Sequence, residues 1–306
     1  MHMKTRLLWW LACLGQRMSI AQIDRAGDGL GRLFWLVLRS RRRLATKAIQ
    51  EHLGLGEAES KALAYESFRQ NCRSFLELLY VPKLDKAFLE ERCTINRPDI
   101  IAAISKLERP IVLVSGHIGA WEFCSTIVRE ILGITRVTGI ARKPKSEAMH
   151  VVMMRLRERP CISVIPHRNA ARHVLRRLKN NEAAGFVVDH NTSSRESIFL
   201  PFLGEVAAVN KGPAILAVGA KALVLPLFLF RKPGGRYRIH VEDPLDTTTI
   251  PGDREQQVQA VTEFYNEAVE RQVRQHPEQW FWMHKRWKTK PDTETEPDSQ
   301  ATSMAE

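Results

Sequence analysis

A histidine and a glutamate lie five residues apart, at His117 and Glu122, after an apolar run that begins at Ile111. An imidazole oriented by a carboxylate can act as a general base. On one continuous helix this spacing sets two side chains about 140° apart, so they meet only if the helix begins after the histidine. Gly116 and Gly119 permit the tight strand-to-helix turn that this requires. The pattern therefore predicts that His117 is a base and that Glu122 holds its other ring nitrogen.

Further polar candidates follow other predicted strands. Asp189 ends the short apolar run 185–188, and Arg142 and Arg168 each come after a predicted strand, where an arginine fork can hold a phosphate. The carboxyl ends of strands in an open α/β sheet meet at one edge, where ligands bind. Lys211 lies just before Gly-Pro and an apolar helix whose free N–H groups suit an anion. We expect these residues near His117.

The elements that would position them alternate along the chain. Apolar runs predict strands at 111–115, 134–140, 161–165, 185–188, 223–230 and 237–241, and helical periodicity predicts helices at 121–132, 147–159, 170–180, 214–220 and 254–275. A Pro-Gly-Gly turn at 233–235 joins the last two strands as a hairpin. The prediction is an α/β fold: a single sheet, mostly parallel or mixed, flanked by helices.

Composition and charge narrow the function. The 306 residues are 44% hydrophobic and 26% charged, as in an ordinary globular protein, and the net charge of +12 favours an anionic partner. The five cysteines are scattered without a C-x-x-C pair, so we predict neither a disulfide framework nor a metal site. Ser115 lacks a G-x-S-x-G elbow and Cys124 falls inside a predicted helix, so we interpret both as packing residues rather than nucleophiles.

Residues 1–44 combine short apolar runs with arginines. Neither run reaches the eighteen or so residues of a membrane-spanning helix, and Trp9, Trp10 and the arginines at 39–43 suit helices that lie in a membrane interface. A buried helix pair is the alternative. Arg17 argues against a secretory signal cleaved near Ala21. At the other end, residues 291–306 carry five acids and no base, which predicts a disordered acidic tail.

The segment 277–288 (PEQWFWMHKRWK) interleaves tryptophans with basic residues. One interpretation is a platform on which nucleic-acid bases stack. The chain shows no recognisable nucleic-acid module, and such a segment also suits the edge of a core or a membrane-facing surface. We therefore predict no nucleic-acid partner.

Four ordered blocks between about residues 44 and 288 resemble the bacterial lipid A biosynthesis acyltransferases. They are the His117–Glu122 motif, the stretch from Arg168 to Asp189, the stretch IFLPFLGEVAAVNKGPAILA, and PEQWFWMHKRWK. These lauroyl and myristoyl transferases belong to the wider His-x-x-x-x-Asp/Glu glycerolipid acyltransferase group. The resemblance implies a catalytic domain over 45–290 with a fold of that group, and it implies that Arg168 and Asp189 complete the site with His117 and Glu122.

The resemblance also implies a reaction and its partners. Members carry an acyl chain from acyl-carrier protein, less often from coenzyme A, to a lipid hydroxyl at the cytoplasmic face of the inner membrane. For this chain it predicts O-acyl transfer to an anionic lipid A precursor without a further cofactor, and it makes Arg142 and Lys211 candidate substrate-binding residues. Related enzymes acylate phosphoinositide mannosides or other lipids, such as lysophospholipids or ornithine-type lipids. The remaining alternative is a basic membrane- or nucleic-acid-binding protein without chemistry.

Overall fold

The computed structural model describes residues 2–133, 136–141, 143–158, 162–166 and 170–291. Its helices are α1 (Met3–Gly15), α2 (Ile20–Val37), α3 (Arg39–Leu53), α4 (Glu57–Glu77), α5 (Lys86–Arg92), α6 (Pro98–Ile104), α7 (Cys124–Leu132), α8 (Glu147–Arg157), α9 (Ala170–Leu178), α10 (Gly212–Ala220) and α11 (Arg254–Gln275). Its strands are β1 (Cys93–Ile95), β2 (Ile111–Ser115), β3 (Val137–Ala141), β4 (Ile162–Pro166), β5 (Ala183–Val187), β6 (Ser197–Phe202), β7 (Glu205–Asn210), β8 (Leu223–Lys232), β9 (Arg236–Val241) and β10 (Leu245–Asp246). A single 3₁₀ turn, Trp121–Phe123, precedes α7.

The main sheet has the strand order β1-β9-β8-β2-β5-β3-β4, with β10 beside β8. The pairs that join β2, β3, β4, β5 and β8 are parallel, and β8 and β9 form the predicted antiparallel hairpin. The predicted mixed, mostly parallel sheet with flanking helices is thus confirmed. β6 and β7 form a separate hairpin that the sequence did not predict.

Strand β2 is buried throughout, and its residues 111–114 are apolar, because helices cover both faces of the sheet. Val112 and Val114 belong to one hydrophobic cluster, and Ile111 and Leu113 belong to the other. Side chains of a strand alternate between faces, so the sheet divides the core into two layers. The strand ends where polar and glycine residues follow. These residues form the turn that carries His117.

Helices α2 and α3 pack on α4, and α1 packs on α8. Gly27 and Gly31 let α2 approach so closely that a Cβ on either would lie 2.6 Å from the nearest atom of Arg73 or Arg69. Asp28 accepts hydrogen bonds from both arginines, at 2.8 Å from Arg69 and 2.6 Å from Arg73. The predicted division at residue 44 stays a prediction, and α3 is continuous across it.

Two predictions concern the N-terminal helices and the C-terminal tail. Among the helices of the described residues, none is long and apolar enough to cross a membrane. The predicted acidic tail lies outside the described residues from position 292 onward. The near-helical spacing of apolar residues along α4 predicts that Phe68 and Phe75 both face the core. Phe68 is buried, but Phe75 is 45% exposed, so the prediction is wrong for Phe75.

Candidate active site

The register of two parallel strands brings His117 and Asp189 together. Ser115 at the end of β2 pairs with Val187 at the end of β5. The ladder continues for one more hydrogen bond, from the Val188 amide to the Ser115 carbonyl at 2.9 Å. His117 and Asp189 each stand two residues beyond that last pair. Because each lies two positions after a residue of the same pair, both residues lie at the same carboxyl edge of the sheet. This is the edge at which the sequence predicted the site.

Asp189 holds His117 through two contacts. One carboxylate oxygen, Oδ1, lies 2.7 Å from Nδ1 of the imidazole, and the other, Oδ2, accepts the backbone N–H of His117 at 2.7 Å. An ionised carboxylate can only accept a hydrogen bond, so Asp189 fixes the tautomer with hydrogen on Nδ1. The remaining nitrogen, Nε2, is the one left to take a proton from a substrate.

The charges of the pair reinforce each other. Burial by itself lowers the pKa of His117, but the negative charge of Asp189 and its hydrogen bond outweigh burial, so the pKa lies above its ordinary value. Burial by itself raises the pKa of Asp189, but the positive charge of His117 and its hydrogen bond lower it by more. The pKa of Asp189 therefore lies below its ordinary value. Asp189 therefore stays ionised and stabilises an imidazolium on His117.

Glu122 does not hold the imidazole, which corrects the prediction. Its two oxygens accept hydrogen bonds from Arg157, from Nε at 2.9 Å and from Nη2 at 2.5 Å. The backbone turn does bring Glu122 into the same wall as His117, because the 3₁₀ turn at Trp121–Phe123 begins after the histidine as predicted. The imidazole's partner is instead Asp189, which is joined to it by the sheet register rather than by the local motif.

The aromatic C-terminal segment closes the back of the site. Trp280 is 2% exposed, and its indole N–H donates to Asp189 Oδ2 at 2.8 Å. The next residue, Phe281, donates its amide to the His117 carbonyl at 3.2 Å. Trp282 is also buried. These rings pack inside the protein, so this tryptophan pair is part of the core and of the site rather than an exposed stacking platform.

A cavity of about 1680 Å³ opens in front of His117. It exceeds the roughly 300–1,000 Å³ of ordinary small-molecule pockets. Its wall includes apolar side chains as well as hydroxyl, amide and basic groups. The apolar lining includes Leu113, Val128, Val137, Met153, Val164, Val174, Phe186 and Leu227, and the polar lining includes His190, Asn191, Thr192, Ser193, Arg195, Lys211 and His284.

Two further histidines, His190 and His284, line the cavity. Burial lowers the pKa of His284 to about 4. It also lowers the pKa of His190, whose Nδ1 lies 3.1 Å from the carbonyl of Val187. Neither imidazole contacts Asp189 in the described hydrogen bonds, so among these three histidines only His117 is paired with that carboxylate.

The structure describes some of the other predicted site residues and not others. Lys211 lines the cavity at the start of α10, and its role in substrate binding stays a prediction. Arg142 and Arg168 lie outside the described residues, so their roles stay predictions. Burial raises the pKa of the Cys124 thiol to about 12, which is consistent with its interpretation as a packing residue rather than a nucleophile. Ser115 is buried at the end of β2.

Sequence reasoning missed Arg157 and Trp280 as members of the site. Arg157 is the last residue of α8, one of several arginines there, and nothing in the local sequence separates it from Arg155. Arg155 instead stacks its guanidinium over Trp9 at 5.2 Å. Trp280 was noticed as part of an aromatic run, but its donor role depends on a contact with a residue 91 positions away.

The family that this architecture represents is identified by comparison with known proteins. The family described as bacterial lipid A biosynthesis acyltransferase matches residues 3–289. The chain belongs to that family. The resemblance seen in the four sequence blocks is thereby confirmed over almost the whole chain.

Individual relatives are more distant. The lipid A biosynthesis lauroyltransferase of Escherichia coli K12 is 31% identical over 120 residues, which span 39% of this chain and 38% of that protein. The palmitoleoyltransferase of the same organism is 29% identical over 40% of this chain and 39% of its own length. The phosphatidylinositol mannoside acyltransferase of Mycolicibacterium smegmatis is 24% identical over 72% of this chain and 71% of its own length.

One solved structure is also similar. The 1-acyl-sn-glycerophosphate acyltransferase PlsC of Thermotoga maritima aligns with 82% of this chain and 99% of its own. The TM-score is 0.39 and the sequence identity is 14%.

Proposed function

We propose that this protein is an O-acyltransferase that moves a fatty acyl chain from a thioester donor to a hydroxyl of a lipid A precursor. The observation that carries the proposal is that His117, hydrogen-bonded to Asp189, lines a large cavity whose wall includes both apolar and polar side chains. A base beside an apolar chamber suits a reaction between a hydroxyl and a fatty acyl thioester. Family membership supports lipid A assembly as the setting.

In the proposed reaction His117 Nε2 takes the proton of the acceptor hydroxyl while that oxygen attacks the thioester carbonyl carbon. Asp189 stabilises the imidazolium through Nδ1–H. The tetrahedral adduct then collapses, the carbon–sulfur bond breaks, and the imidazolium returns its proton to the leaving sulfur. The products are an ester and a thiol. A thioester is already activated, so no acyl-enzyme is needed and no further cofactor enters the reaction.

Cationic groups are available for the charges of the substrates. Arg157 lines the same cavity as His117 and is held in place by Glu122. We propose that it faces the developing negative charge on the carbonyl oxygen, where a fixed cation is most effective. Lys211, and by family resemblance Arg142 and Arg168, are proposed to bind phosphates of the acceptor or of the donor's carrier group.

We propose acyl-carrier protein as the donor's carrier, with coenzyme A as the alternative. Acyl-carrier protein is acidic, and this chain has a net charge of +12. Opposite net charges speed encounter and make it sensitive to salt. The measurement that separates the two donors is the rate with lauroyl-acyl-carrier protein and with lauroyl-coenzyme A at equal concentration and at two salt concentrations.

An exposed apolar surface on the N-terminal helices supports attachment to the inner membrane at its cytoplasmic face. On α1 it consists of Met3, Leu7, Trp10, Leu11 and Leu14, and at the end of α2 it consists of Leu33, Leu36, Val37 and Leu38. The α1 residues recur at helical spacing and have exposed Lys4 and Arg6 beside them. An amphipathic helix of this kind lies in the plane of an anionic bilayer.

Vesicle flotation tests this attachment. With vesicles that contain anionic phospholipid, the Leu7→Glu/Trp10→Glu variant should lose most of its binding. The control is Leu107→Glu, which changes a leucine that is 47% exposed outside this surface. Equal flotation of the two variants and the unmodified protein would remove the proposal of an interfacial α1.

A second acceptor class has a specific observation in its favour. The match to the mycolicibacterial phosphatidylinositol mannoside acyltransferase extends over more of the chain than the matches to the two Escherichia coli enzymes, although at lower identity. Both acceptors are anionic glycolipids with free hydroxyls, and both suit a basic, part-polar cavity. The alternative proposal is therefore acyl transfer to a phosphoinositide mannoside.

The test is a transfer assay with purified protein, lauroyl-acyl-carrier protein and a panel of acceptors. The panel contains a lipid A precursor, a phosphoinositide mannoside and a lysophospholipid. We expect ester formation on the lipid A precursor and loss of at least about 100-fold in rate for His117→Ala, the scale of general base catalysis. Ester formation on another acceptor alone would change the substrate class, and full activity of His117→Ala would overturn the mechanism.

A further inference from the structure

A buried ion pair lies behind the catalytic turn, outside the cavity. Arg231, near the end of β8, and Glu77, the last residue of α4, are joined by two hydrogen bonds, from Nε at 2.7 Å and from Nη2. The Arg231 side chain is 6% exposed and the Glu77 side chain is fully buried. Tyr237 adds a hydrogen bond to the carboxylate at 3.0 Å.

A pair this deeply buried is not explained by stability alone. Removing two charges from water costs free energy that their attraction often fails to recover, and apolar residues of similar volume commonly serve as well. The geometry around Arg231 points to another use. The same Nη2 that contacts Glu77 also donates to the carbonyl of Gly119 at 3.1 Å.

That carbonyl belongs to the turn between His117 and Glu122. Ser74, one helical turn before Glu77 on α4, donates its hydroxyl to the same oxygen at 2.8 Å and accepts from Arg231 Nη2 at 2.7 Å. Two donors from two different elements therefore converge on a single backbone oxygen. Gly119 has a φ of +59° and approaches β8 so closely that a Cβ would lie 2.0 Å from the Leu229 carbonyl.

The amides of the turn are fixed from the opposite side. Gly119 N–H donates to the Gln279 carbonyl at 3.0 Å, and Ala120 N–H donates to the Leu229 carbonyl at 2.8 Å. The Gln279 side chain in turn binds the backbone of Arg231, accepting from its amide at 2.9 Å and donating to its carbonyl at 3.3 Å. Both the donor and acceptor sides of the turn thus connect to Arg231.

The same face of α4 also holds the other half of the site. Ser67 and Asn71 donate to the carbonyl of Trp280, at 2.6 Å and 3.1 Å. Trp280 is the residue whose indole binds Asp189. The buried polar row Ser67, Asn71, Ser74 and Glu77 follows helical spacing and therefore reaches both the turn that carries His117 and the segment that supports its carboxylate.

We propose that Arg231 is a positioning residue for the acyl transfer proposed above, and that with Glu77 and Ser74 it clamps the Gly119 carbonyl and thereby fixes His117 relative to Asp189 and Glu122. Arg231 touches neither substrate nor the imidazole and acts only through the turn. A base that must meet a hydroxyl and a thioester in one geometry loses rate when its backbone shifts by a fraction of an ångström. Binding of the substrates in the cavity does not depend on that clamp.

Two variants with matched controls test the proposal. Ser74→Ala removes one donor to Gly119 and keeps the ion pair, and Arg231→Lys keeps the charge and loses the fork. Ser60→Ala is the control for the first, because Ser60 is equally buried on α4 and donates to a backbone carbonyl at 3.2 Å far from the turn. Arg109→Lys is the control for the second, because Arg109 forms a fork with Asp246 away from the site.

Two measurements are made on all four variants. Both test variants should lower kcat about tenfold with KM for donor and acceptor unchanged, and backbone amide exchange at 117–122 should become about five- to tenfold faster, the factor for one lost hydrogen bond. Protection of α11 should not change, and both controls should match the unmodified protein. Exchange and kcat of both test variants within twofold of their controls would overturn the proposal.

The exchange measurement separates this proposal from the proposed function. Faster exchange at 117–122 in an otherwise folded protein supports the clamp even if no acceptor in the panel is acylated, and in that case only the proposed function fails. A general loss of protection that includes α11 in Ser74→Ala would show a structural role for the hydroxyl and would contradict the clamp.

Discussion

Two buried carboxylates stand at the same edge of the sheet, and they do different work. Asp189 binds the imidazole and the backbone of His117, whereas Glu122 binds the guanidinium of Arg157. Glu122 is close to His117 in sequence and Asp189 is 72 residues away. Strand register and helix packing therefore determine which carboxylate contacts the histidine. The short His-x-x-x-x-Glu motif predicts the region of the site but not the contact within it.

The largest effect that this comparison predicts is that of Asp189→Asn. The amide cannot stabilise an imidazolium, and it permits the wrong tautomer of His117, so kcat should fall by about 10²–10⁴-fold. The measurement is kcat with saturating donor and acceptor. The control is the thermal unfolding midpoint, which should show a folded protein. A loss of less than about fivefold would mean that Asp189 is not the partner that matters.

A smaller catalytic effect is expected for Glu122→Gln. This carboxylate reaches the reaction only through Arg157, so kcat should fall by about 10–100-fold, less than for Asp189→Asn, in proportion to the loss of one fixed cation. Direct comparison of the two variants under the same conditions is the measurement. A greater loss in Glu122→Gln than in Asp189→Asn would reverse the roles assigned to the two carboxylates.

The Glu122–Arg157 pair also predicts a stability effect. Arg157→Met leaves the Glu122 carboxylate buried without its cation, which should lower the free energy of unfolding by about 3–5 kcal/mol. Denaturant unfolding measures it. The double variant Glu122→Leu/Arg157→Met removes both charges and should recover much of that loss without recovering activity. A double variant no more stable than Arg157→Met would argue against a paired role.

The smallest effect is that of Trp280→Phe. The indole N–H is one of several groups that hold Asp189, and the ring mainly fills the core, so kcat should fall by about tenfold or less, the scale of one hydrogen bond to a charged group. Steady-state kinetics measures it. Trp282→Phe is the matched control, because Trp282 is equally buried and donates to the Pro277 carbonyl instead. Equal losses in both variants would assign the effect to packing.

Much of the sheet could be predicted from sequence because its strands are apolar, β-branched runs that end at polar residues. The helix Arg254–Gln275 has the predicted bounds, and the strand that begins at Ile111 ends at Ser115, where the apolar run gives way to Ser-Gly-His. The three-residue strand β1 is too short to show a pattern, and the hairpin of β6 and β7 was described only as an apolar block. Local periodicity carries no information on such elements.

The site was predictable as a set of residues at one edge and not as a set of contacts. His117 and Asp189 each follow an apolar strand. Parallel strands have their carboxyl ends at the same edge of a sheet, so the sequence predicts that these two residues lie close together. Whether Glu122 turns to the imidazole or to an arginine depends on where α8 packs, which no local pattern encodes. Phe75 shows the same limit, because helical spacing predicted burial and the fold leaves that face of α4 partly open.

The most direct test of the central claim is the pH dependence of kcat/KM for the unmodified protein and for Asp189→Asn. In the proposed mechanism activity requires neutral His117, so it should rise with pH through the pKa of that imidazole, which Asp189 holds above its ordinary value of 6.5. Removing the carboxylate's charge makes the imidazolium less stable and lowers this pKa. The acidic limb of Asp189→Asn should therefore move to lower pH, and by more than in Glu122→Gln. An acidic limb at the same pH in all three proteins would contradict the account.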